Sequence, residues 1–274
     1  MSGSVERALR HVRELSTGGP LPPGLPVTLN FHPDTLVDGV PTIELLARDG
    51  MYRSQFETGT SNGGMTAFPG GDRWTWESRM FGSAYDAADP VLRPKYGALN
   101  HRSDPAGGSR RFGSCHLRLR RHVLERTTFA YPDSHLQPAN FGTADRMMLI
   151  ELADENAGGL DLLDNYVEAH VHGPVRVAED ADAIVLDPSY RGTSIEHAAH
   201  LLGCAVEWHS GFRLGLDRLA DCEHFRGSIA AHAVARIGVD GDVTPAAIGA
   251  VRDTVLDYQT AKWVWHCVAR FGQE

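Results

Sequence analysis

The octapeptide YVEAHVHG, at residues 166–173, contains a glutamate and two histidines, which can act in catalysis or bind a metal, at every second position. Its alternation of polar and apolar residues predicts a strand, in which successive side chains point to opposite faces. Glu168, His170 and His172 then share one face. Glu168 can act as a catalytic carboxylate that the histidines support, or the three can hold a metal ion through nitrogen and oxygen ligands. A solvated strand face without function is the third interpretation.

Arg53 is the second candidate, in the segment MYRSQF at residues 51–56, which reads as a strand running into the glycine-rich loop TGTSNGG. A planar guanidinium at a strand end can hold a phosphate or carboxylate while glycines let backbone amides approach the same group. Lys95 and Lys262 are the only lysines among 26 basic residues. Arginine is therefore common in this chain, and a surface arginine paired with a carboxylate is the alternative interpretation.

Two other motifs are compatible with function. Residues 59–63 read GTSNG and match the G-x-S-x-G nucleophile elbow, with Ser61 as nucleophile. That elbow needs a helix after the serine, and the glycines and proline that follow argue against one, so we favour a ligand-facing or structural loop. The segment NFHPD closes the first predicted strand with a turn that brings His32 near Asp34, either as a plain Asx turn or as a nucleotide contact.

The elements that must position these residues are strands in the middle of the chain and helices at its ends. We expect strands over residues 27–31, 51–56, 112–119, 126–131, 166–173 and 183–189, and helices over 4–15, 41–50, 146–157, 194–203 and from Pro245 onwards. The strands at 112–119 and 126–131 are expected to form a hairpin or to lie side by side. This order predicts an α+β fold.

We expect three regions: an N-terminal helix and linker at residues 1–26, a core at 27–190, and a C-terminal helical extension at 191–274 that packs on the core. A chain of 274 residues with 42% hydrophobic residues can bury one large core, which excludes a mostly disordered protein. The net charge of -9 argues against bulk polyanion binding. No apolar run is long enough to span a membrane, and four scattered cysteines predict a reduced, cytoplasmic protein.

Three segments, in this order, resemble the toxin-type bacterial mono-ADP-ribosyltransferases. MYRSQFETGTSNGG resembles their first conserved strand, RFGSCHLRLRRHVLERTTFAYPDS is similar to their central strands, and YVEAHVHGPVRVAEDADAIVLD resembles their last strand pair. In that last pair the catalytic glutamate precedes a His-Gly turn. The resemblance covers about residues 27–190. The chain also resembles an uncharacterised bacterial family with the motifs LNFHPD, SQFETGTSNGG and RPKYGALN.

The resemblance implies a split β-sandwich that takes NAD as substrate, transfers ADP-ribose to an acceptor and releases nicotinamide. It implies that Glu168 is catalytic and that Arg53 binds NAD, with Tyr52, Phe129 or Tyr131 stacking on nicotinamide. The other NAD contacts that it implies are Ser54, Gly59, Thr60, Asn62, Gly63, Ser114, Thr127 and Thr128. The acceptor stays open between protein, nucleic acid, small molecule and water.

His170 stands where the superfamily often carries a Gln or Glu that orients the acceptor. Because imidazole can accept a proton near neutral pH, we expect His170 to deprotonate or position the acceptor without being needed for NAD binding. A structural histidine bonded to a neighbouring strand is the alternative. Two other functions remain: a metal-dependent hydrolase or oxygenase that uses Glu168, His170 and His172, and a non-catalytic nucleotide-binding module. No metal is expected for ADP-ribosyl transfer.

Overall fold

A computed structural model describes residues 3–59 and 67–273 of the chain. Within these residues the strands are β1 (Val27–Phe31), β2 (Leu36–Val37), β3 (Val40–Pro41), β4 (Met51–Tyr52), β5 (Lys95–Leu99), β6 (Cys115–Leu119), β7 (Thr127–Tyr131), β8 (Asn140–Thr143), β9 (Val167–Val171), β10 (Val175–Arg176), β11 (Ala181–Leu186), β12 (Ala205–Trp208), β13 (Leu214–Gly215) and β14 (Asp242–Val243). The helices are α1 (Gly3–Leu15), α2 (Thr42–Asp49), α3 (Gln55–Thr58), α4 (Asp72–Met80), α5 (Leu149–Glu155), α6 (Val177–Asp180), α7 (Ser194–Ala199), α8 (Leu219–Arg226), α9 (Ser228–Ile237), α10 (Pro245–Val251) and α11 (Tyr258–Phe271).

Eight strands pair in the order β12-β11-β6-β1-β5-β9-β7-β8 to form one hydrogen-bonded sheet. The neighbours are antiparallel except β11 and β12, which run parallel. Three short ribbons, β2 with β3, β4 with β10 and β13 with β14, complete the strand pairing of the described residues. The fold is a large mixed sheet with helices, which is the α+β class expected from the sequence.

The two faces of the sheet differ in chemistry. Leu29, Leu99, Leu117 and Val167 point to an apolar face, where they form a core with α2, α5 and α7. The opposite, polar face is covered in two places. An N-terminal cover packs α1 and α4 together, and a C-terminal cover is built from α8 to α11. The centre of the polar face therefore lies between two separate helical layers.

The helices predicted from periodicity are present, except that the single helix expected from Pro245 onwards is divided into α10 and α11. α1 buries Val5, Ala8 and Val12 along one stripe, the spacing that favours an amphipathic helix. α2 ends at Gly50, which adopts a left-handed conformation with φ 64° and donates its N–H to the carbonyl of Leu46. Glycine reaches that conformation without steric cost, so the sequence marks the end of this helix.

The strand predicted over residues 51–56 is wrong beyond Tyr52. β4 holds two residues and pairs with β10 outside the main sheet. α3 begins directly afterwards, because the backbone N–H of Ser54 donates to Glu57 Oε2 at 2.7 Å in a capping box. Arg53 lies in the connection between β4 and α3, not on a sheet strand.

The strands predicted at 112–119 and 126–131 correspond to β6 and β7, but they are not neighbours. β1, β5 and β9 separate them in the sheet, so the expected hairpin or side-by-side pairing is wrong. The residues between them form a 3-10 helix, Arg121–Arg126, instead of a tight turn. Local alternation predicts a strand, whereas its partners depend on contacts with distant segments.

The C-terminal region is not only a helical extension. β12 pairs in parallel with β11, so the main sheet continues across the expected boundary at residue 190. The helices of this region form the C-terminal cover, which also includes Ala106 and Leu163 from the region expected at residues 27–190. None of the helices in the described ranges is long and apolar enough to cross a membrane.

Gly113 gives a test of the packing between β1 and β6. A Cβ atom at this position would collide with the backbone of Phe31, which has no room to move inside the sheet. We predict that Gly113→Ala lowers the free energy of unfolding by about 1–3 kcal/mol, the usual cost of overpacking, in urea denaturation. Gly158→Ala is the matched control, since no atom lies within 4 Å of its added Cβ. Equal stability of the two variants would contradict this packing.

Candidate functional site

A cavity of about 950 Å³ opens at the middle of the sheet, where β1 and β5 pair only through Val27 with Leu99 and Thr28 with Ala98. Asn30, Tyr96 and Glu168, from β1, β5 and β9, contribute to its lining. Its walls come from α2, α3, Arg73 of α4 and the start of α11. This volume lies within the range of small-molecule and cofactor sites. The cavity is therefore the candidate functional site.

Glu168 is the most buried carboxyl of the lining, with 5% of its surface exposed. Its Oε1 lies 2.7 Å from His170 Nε2, and its Oε2 accepts from Ser134 Oγ at 2.7 Å. Burial raises the pKa of Glu168 well above its ordinary value, and the adjacent Asp133 carboxylate raises it further. Tyr166 in turn donates its hydroxyl to Asp133 Oδ2 at 2.6 Å. Two carboxyl groups thus share a small, largely buried space.

Arg73 brings a positive charge to the same place. Its guanidinium carbon lies 4.2 Å from the ring centroid of Tyr96 and 4.8 Å from that of Trp76. The side chain is almost completely buried, lines the cavity, and counteracts the upward shift in the pKa of Glu168. The guanidinium thus makes cation–π contacts with two aromatic rings, which is a favourable arrangement for a desolvated cation.

A chain of hydrogen bonds continues from Glu168 into the protein. Thr128 Oγ1 lies 3.2 Å from His170 Nδ1 and 2.9 Å from His172 Nε2, and His172 Nδ1 lies 2.6 Å from the hydroxyl of Tyr85. Burial lowers the pKa of His170 to about 3 and that of His172 well below its ordinary value. Both imidazoles are therefore neutral near pH 7, and the interpretation as a solvated strand face is wrong.

Counting protons allows this chain only two directions, towards Glu168 or away from it. A neutral imidazole donates one hydrogen bond and accepts one, and the single hydroxyl proton of Thr128 can point to only one histidine. When Tyr85 donates to His172, each following group donates towards Glu168, and His170 Nε2–H meets the carboxylate. In that direction Tyr85 favours the ionised form of Glu168, against the effect of burial.

His170 does not occupy the place expected for it. It shares the sheet face of Glu168, as alternation predicted, but its ring is covered by Phe81 at 5.4 Å and Tyr96 at 5.1 Å between centroids. It is 1% exposed and lies outside the cavity lining, so it has no direct path to an acceptor. His170 instead contacts Glu168 Oε1 through its Nε2 atom. The cover belongs to distant segments that strand periodicity does not reveal.

Of the residues expected to contact NAD, Arg53 and Ser54 line the cavity. Arg53 is half exposed and forms an ion pair with Asp49 at 2.8 Å. Gly59 ends α3 with φ 66° and lies outside the lining. Thr60, Asn62 and Gly63, together with Ser61 of the elbow motif, lie outside the described residues.

The structure does not bring Ser114, Thr127 or Thr128 to the cavity. The carbonyl of Ser114 accepts from His209 Nε2 at 2.8 Å, and Thr127 Oγ1 donates to the carbonyl of Val123 at 2.8 Å. Thr128 is fully buried between the two histidines. Phe129 and Tyr131, expected to stack on nicotinamide, belong to the core on the apolar face, and only Tyr52 lines the cavity.

His32 lines the cavity, where its ring packs edge-on against Trp265 at 4.7 Å between centroids. Asp34 is turned away and accepts from the hydroxyl of Tyr190 at 2.8 Å. The NFHPD turn therefore separates these two side chains, although the sequence predicted that they would meet. Only His32 remains available to a ligand.

Sequence reasoning missed Arg73, Tyr96 and the pair Asp133 and Ser134. Arg73 and Tyr96 lie between residues 63 and 113, where weak periodicity gave no signal. Asp133 and Ser134 follow β7, which pairs with β9 in the sheet. Knowledge of that pairing would have placed them beside Glu168.

Comparison with protein families matches the chain to DUF3626, described as a protein of unknown function, over residues 26–156 and 149–271. The chain belongs to the DUF3626 family. The two DUF3626 matches overlap at α5 and together span both faces of the sheet and the C-terminal cover. A search of curated proteins gives no match.

Glu168→Gln tests the cost of burying this carboxyl. Because the folded-state pKa of Glu168 is raised, its contribution to stability is present at low pH and is lost as pH rises towards the folded pKa. We predict that the Gln variant gains stability relative to wild type as pH rises above 4.5, the ordinary pKa of a glutamate, by up to about 1.4 kcal/mol per pH unit until the raised folded-state pKa is reached. Urea unfolding at several pH values measures the difference, and a difference that does not change with pH would contradict the raised pKa.

Tyr85→Phe tests the direction of the hydrogen-bond chain. The variant leaves His172 Nδ1 buried without a donor, so we expect it to lower the free energy of unfolding by about 1–3 kcal/mol. In wild-type protein, nitrogen NMR spectra should show His170 and His172 protonated on Nε2 and unprotonated on Nδ1. Assignment uses His170→Gln and His172→Gln. The opposite tautomers would show that the chain runs away from Glu168.

Proposed function

We propose that this protein is an NAD-dependent mono-ADP-ribosyltransferase, which releases nicotinamide and transfers ADP-ribose to an acceptor. The observation that carries the proposal is that Glu168 and Arg53, from separate segments of the chain, line one cavity. Asp133, from the central resembling segment, lines the same cavity, so all three segments contribute to it. Burial of Glu168 and Arg53 in unrelated places would have removed this support.

The proposed chemistry suits the Glu168 carboxylate. As the bond between nicotinamide and ribose breaks, its electron pair leaves on the nicotinamide nitrogen and positive charge develops on the ribose. A carboxylate can bond a ribose hydroxyl and stabilise this charge, as in glycoside hydrolysis. The acceptor then supplies a lone pair to the ribose carbon and loses its proton. The hydrogen bond from His170 keeps the carboxylate oriented towards the cavity.

The lining also offers groups that suit the rest of NAD. Arg53 and Arg73 supply two guanidinium groups, whose planar forks match phosphate oxygens. Tyr52, Tyr96 and Tyr166 line the cavity with aromatic rings that can stack on nicotinamide or adenine. These tyrosines replace Phe129 and Tyr131 in the proposed site.

The same proposal includes the specific fold and the cellular location of the protein. A relationship to the split β-sandwich of the ADP-ribosyltransferases is supported by the order of the three segments around one cavity. A reduced, cytoplasmic setting is supported by Cys115, Cys204, Cys222 and Cys267, which are all free thiols. The acceptor is a protein, a nucleic acid, a small molecule or water.

The metal-dependent alternative has less support from the donor geometry. The Nε2 atoms of His170 and His172 point at Glu168 and Thr128, not at a common point. Within residues 3–59 and 67–273, no group of three His, Cys, Asp or Glu side chains is arranged to hold a metal ion. Elemental analysis of the purified protein tests this alternative, which requires a stoichiometric metal.

Glu168→Gln provides the direct test of ADP-ribosyl transfer. Wild-type protein incubated with NAD should release nicotinamide, measured by chromatography, and Glu168→Gln should slow this release by about 10²-fold or more. Glu151→Gln, on the exposed side of α5, is the control and should behave as wild type. Arg53→Gln should raise the KM for NAD more than it lowers kcat.

Two outcomes would contradict the proposal. Glu168→Gln that turns over NAD as fast as wild type would remove Glu168 from the reaction. Wild-type protein that binds NAD in calorimetry without releasing nicotinamide, in the presence of cell extract as a source of acceptors, would identify a nucleotide-binding module instead.

A further inference from the structure

Four basic side chains meet at the end of the cavity that α11 forms. We call Arg111, Arg226, Lys262 and His266 the α11 basic cluster. Arg111 and Lys262 line the cavity, while Arg226 and His266 adjoin them and act electrostatically on Lys262 or on each other. None of these residues takes part in the site proposed for NAD cleavage.

The cluster is held on a fixed framework. Trp265 Nε1 donates to the carbonyls of Arg110 at 3.2 Å and Arg111 at 2.9 Å, which ties the 3-10 helix Arg110–Phe112 to α11. Lys262 and His266 lie one turn apart on α11, on either side of this anchor. Arg111 and Lys262 are therefore presented to the cavity from two elements whose relative position is set by hydrogen bonds.

The cluster is connected to Glu168 through a series of side-chain contacts. Phe112, next to Arg111, packs edge-on against Tyr166 at 5.9 Å between ring centroids. Tyr166 donates to Asp133, which adjoins Glu168. A ligand in the cavity can thus contact the cluster and Glu168 together, since all these residues except Arg226 and His266 are part of its lining.

Positive charge in the cluster is only partly balanced, because Asp164 pairs with Arg111. The charged groups that act on Lys262 are Arg111 and Arg226, and their repulsion adds to burial in lowering its pKa. Asp161, which also acts on Arg226, pairs with Arg270 at 3.0 Å, outside the cluster. Like charges that are partly withdrawn from water repel strongly unless a counter-ion lies between them.

Two polar atoms of the cluster are buried without a hydrogen-bond partner. They are Arg226 Nε and His266 Nδ1, and His266 is 4% exposed. Buried polar groups are normally satisfied, and each unsatisfied one costs about 1–3 kcal/mol. These atoms lie behind the cavity lining, where an anion bound by Arg111 and Lys262 would offset the charge of Arg226 without contacting it.

We propose that the α11 basic cluster is a binding subsite for a phosphate or diphosphate group, with Arg111 and Lys262 as its direct contacts. Arg111 supplies a planar fork that matches phosphate oxygens, and Lys262 supplies a mobile point charge. Arg226 adds positive charge from behind. The phosphate comes from the diphosphate of NAD itself or from a phosphorylated acceptor. Only this choice of source rests on the proposed function.

Calorimetric titration with inorganic diphosphate at low salt tests the subsite. We expect wild-type protein to bind, and Lys262→Gln and Arg111→Gln to bind at least tenfold more weakly. Lys262→Arg should retain binding, because it keeps the charge. Arg236→Gln is the control for the loss of one charge, since Arg236 is exposed on α9 away from the cavity, and should bind within twofold of wild type.

Arg111→Gln deprives Asp164 of its partner and can lose its fold, so circular dichroism accompanies each variant. Lys262→Gln breaks no ion pair among the described residues, so we expect this variant to fold. Its diphosphate affinity therefore tests the subsite even if Arg111→Gln unfolds. Absence of diphosphate binding in wild type, or equal binding by Lys262→Gln and Arg236→Gln, overturns the subsite.

Competition between ligands identifies the source of the phosphate. If ADP-ribose displaces diphosphate from wild-type protein, the NAD diphosphate occupies the subsite. If both bind at once, the subsite belongs to a phosphorylated acceptor. Either result supports the subsite. If wild-type protein binds diphosphate but releases no nicotinamide from NAD, the proposed function is contradicted and the subsite is not. The two proposals can therefore be tested independently.

Discussion

Burial of the Glu168 carboxyl at the centre of the sheet is the constraint on which the site depends. A carboxyl withdrawn from water needs hydrogen bonds or a positive charge, and here His170, Ser134 and Arg73 supply them. Each of these groups needs its own support. Thr128, His172 and Tyr85 continue behind His170, and two aromatic rings hold Arg73. One buried group thereby organises side chains from α4 and several strands.

The sheet can carry this arrangement because its two faces are used differently. One face supplies the main hydrophobic core, with α2, α5 and α7 packed against it. The other face is covered by an N-terminal and a C-terminal layer, and the cavity opens between them. α2 packs on the hydrophobic core and also lines the cavity, so elements from both faces of the sheet contribute walls to the site.

Local charge in the cavity differs from that of the whole chain. The net charge is -9, yet Arg53, Arg73, Lys95, Arg111 and Lys262 all line the cavity. The lining also contains the carboxyl groups Asp38, Asp49, Glu57, Asp133, Glu168 and Asp253, so both signs of charge meet in one cavity. Composition therefore argues against a long polyanion spread over the surface, while the arginines and lysines of the lining are the groups that the proposed phosphate-bearing ligand would contact.

The sequence by itself determined the local elements: α1 and α2 from helical periodicity and capping, β9 from alternation, and the shared face of Glu168 and His170. These features depend on residues within a few positions of one another. Only the tertiary structure decided that β6 and β7 lie apart, that Phe81 and Tyr96 cover His170, and that Arg73 reaches Glu168. Alternation states which face a side chain takes, but the segment that packs on that face is selected by contacts between distant parts of the chain, which no local pattern encodes.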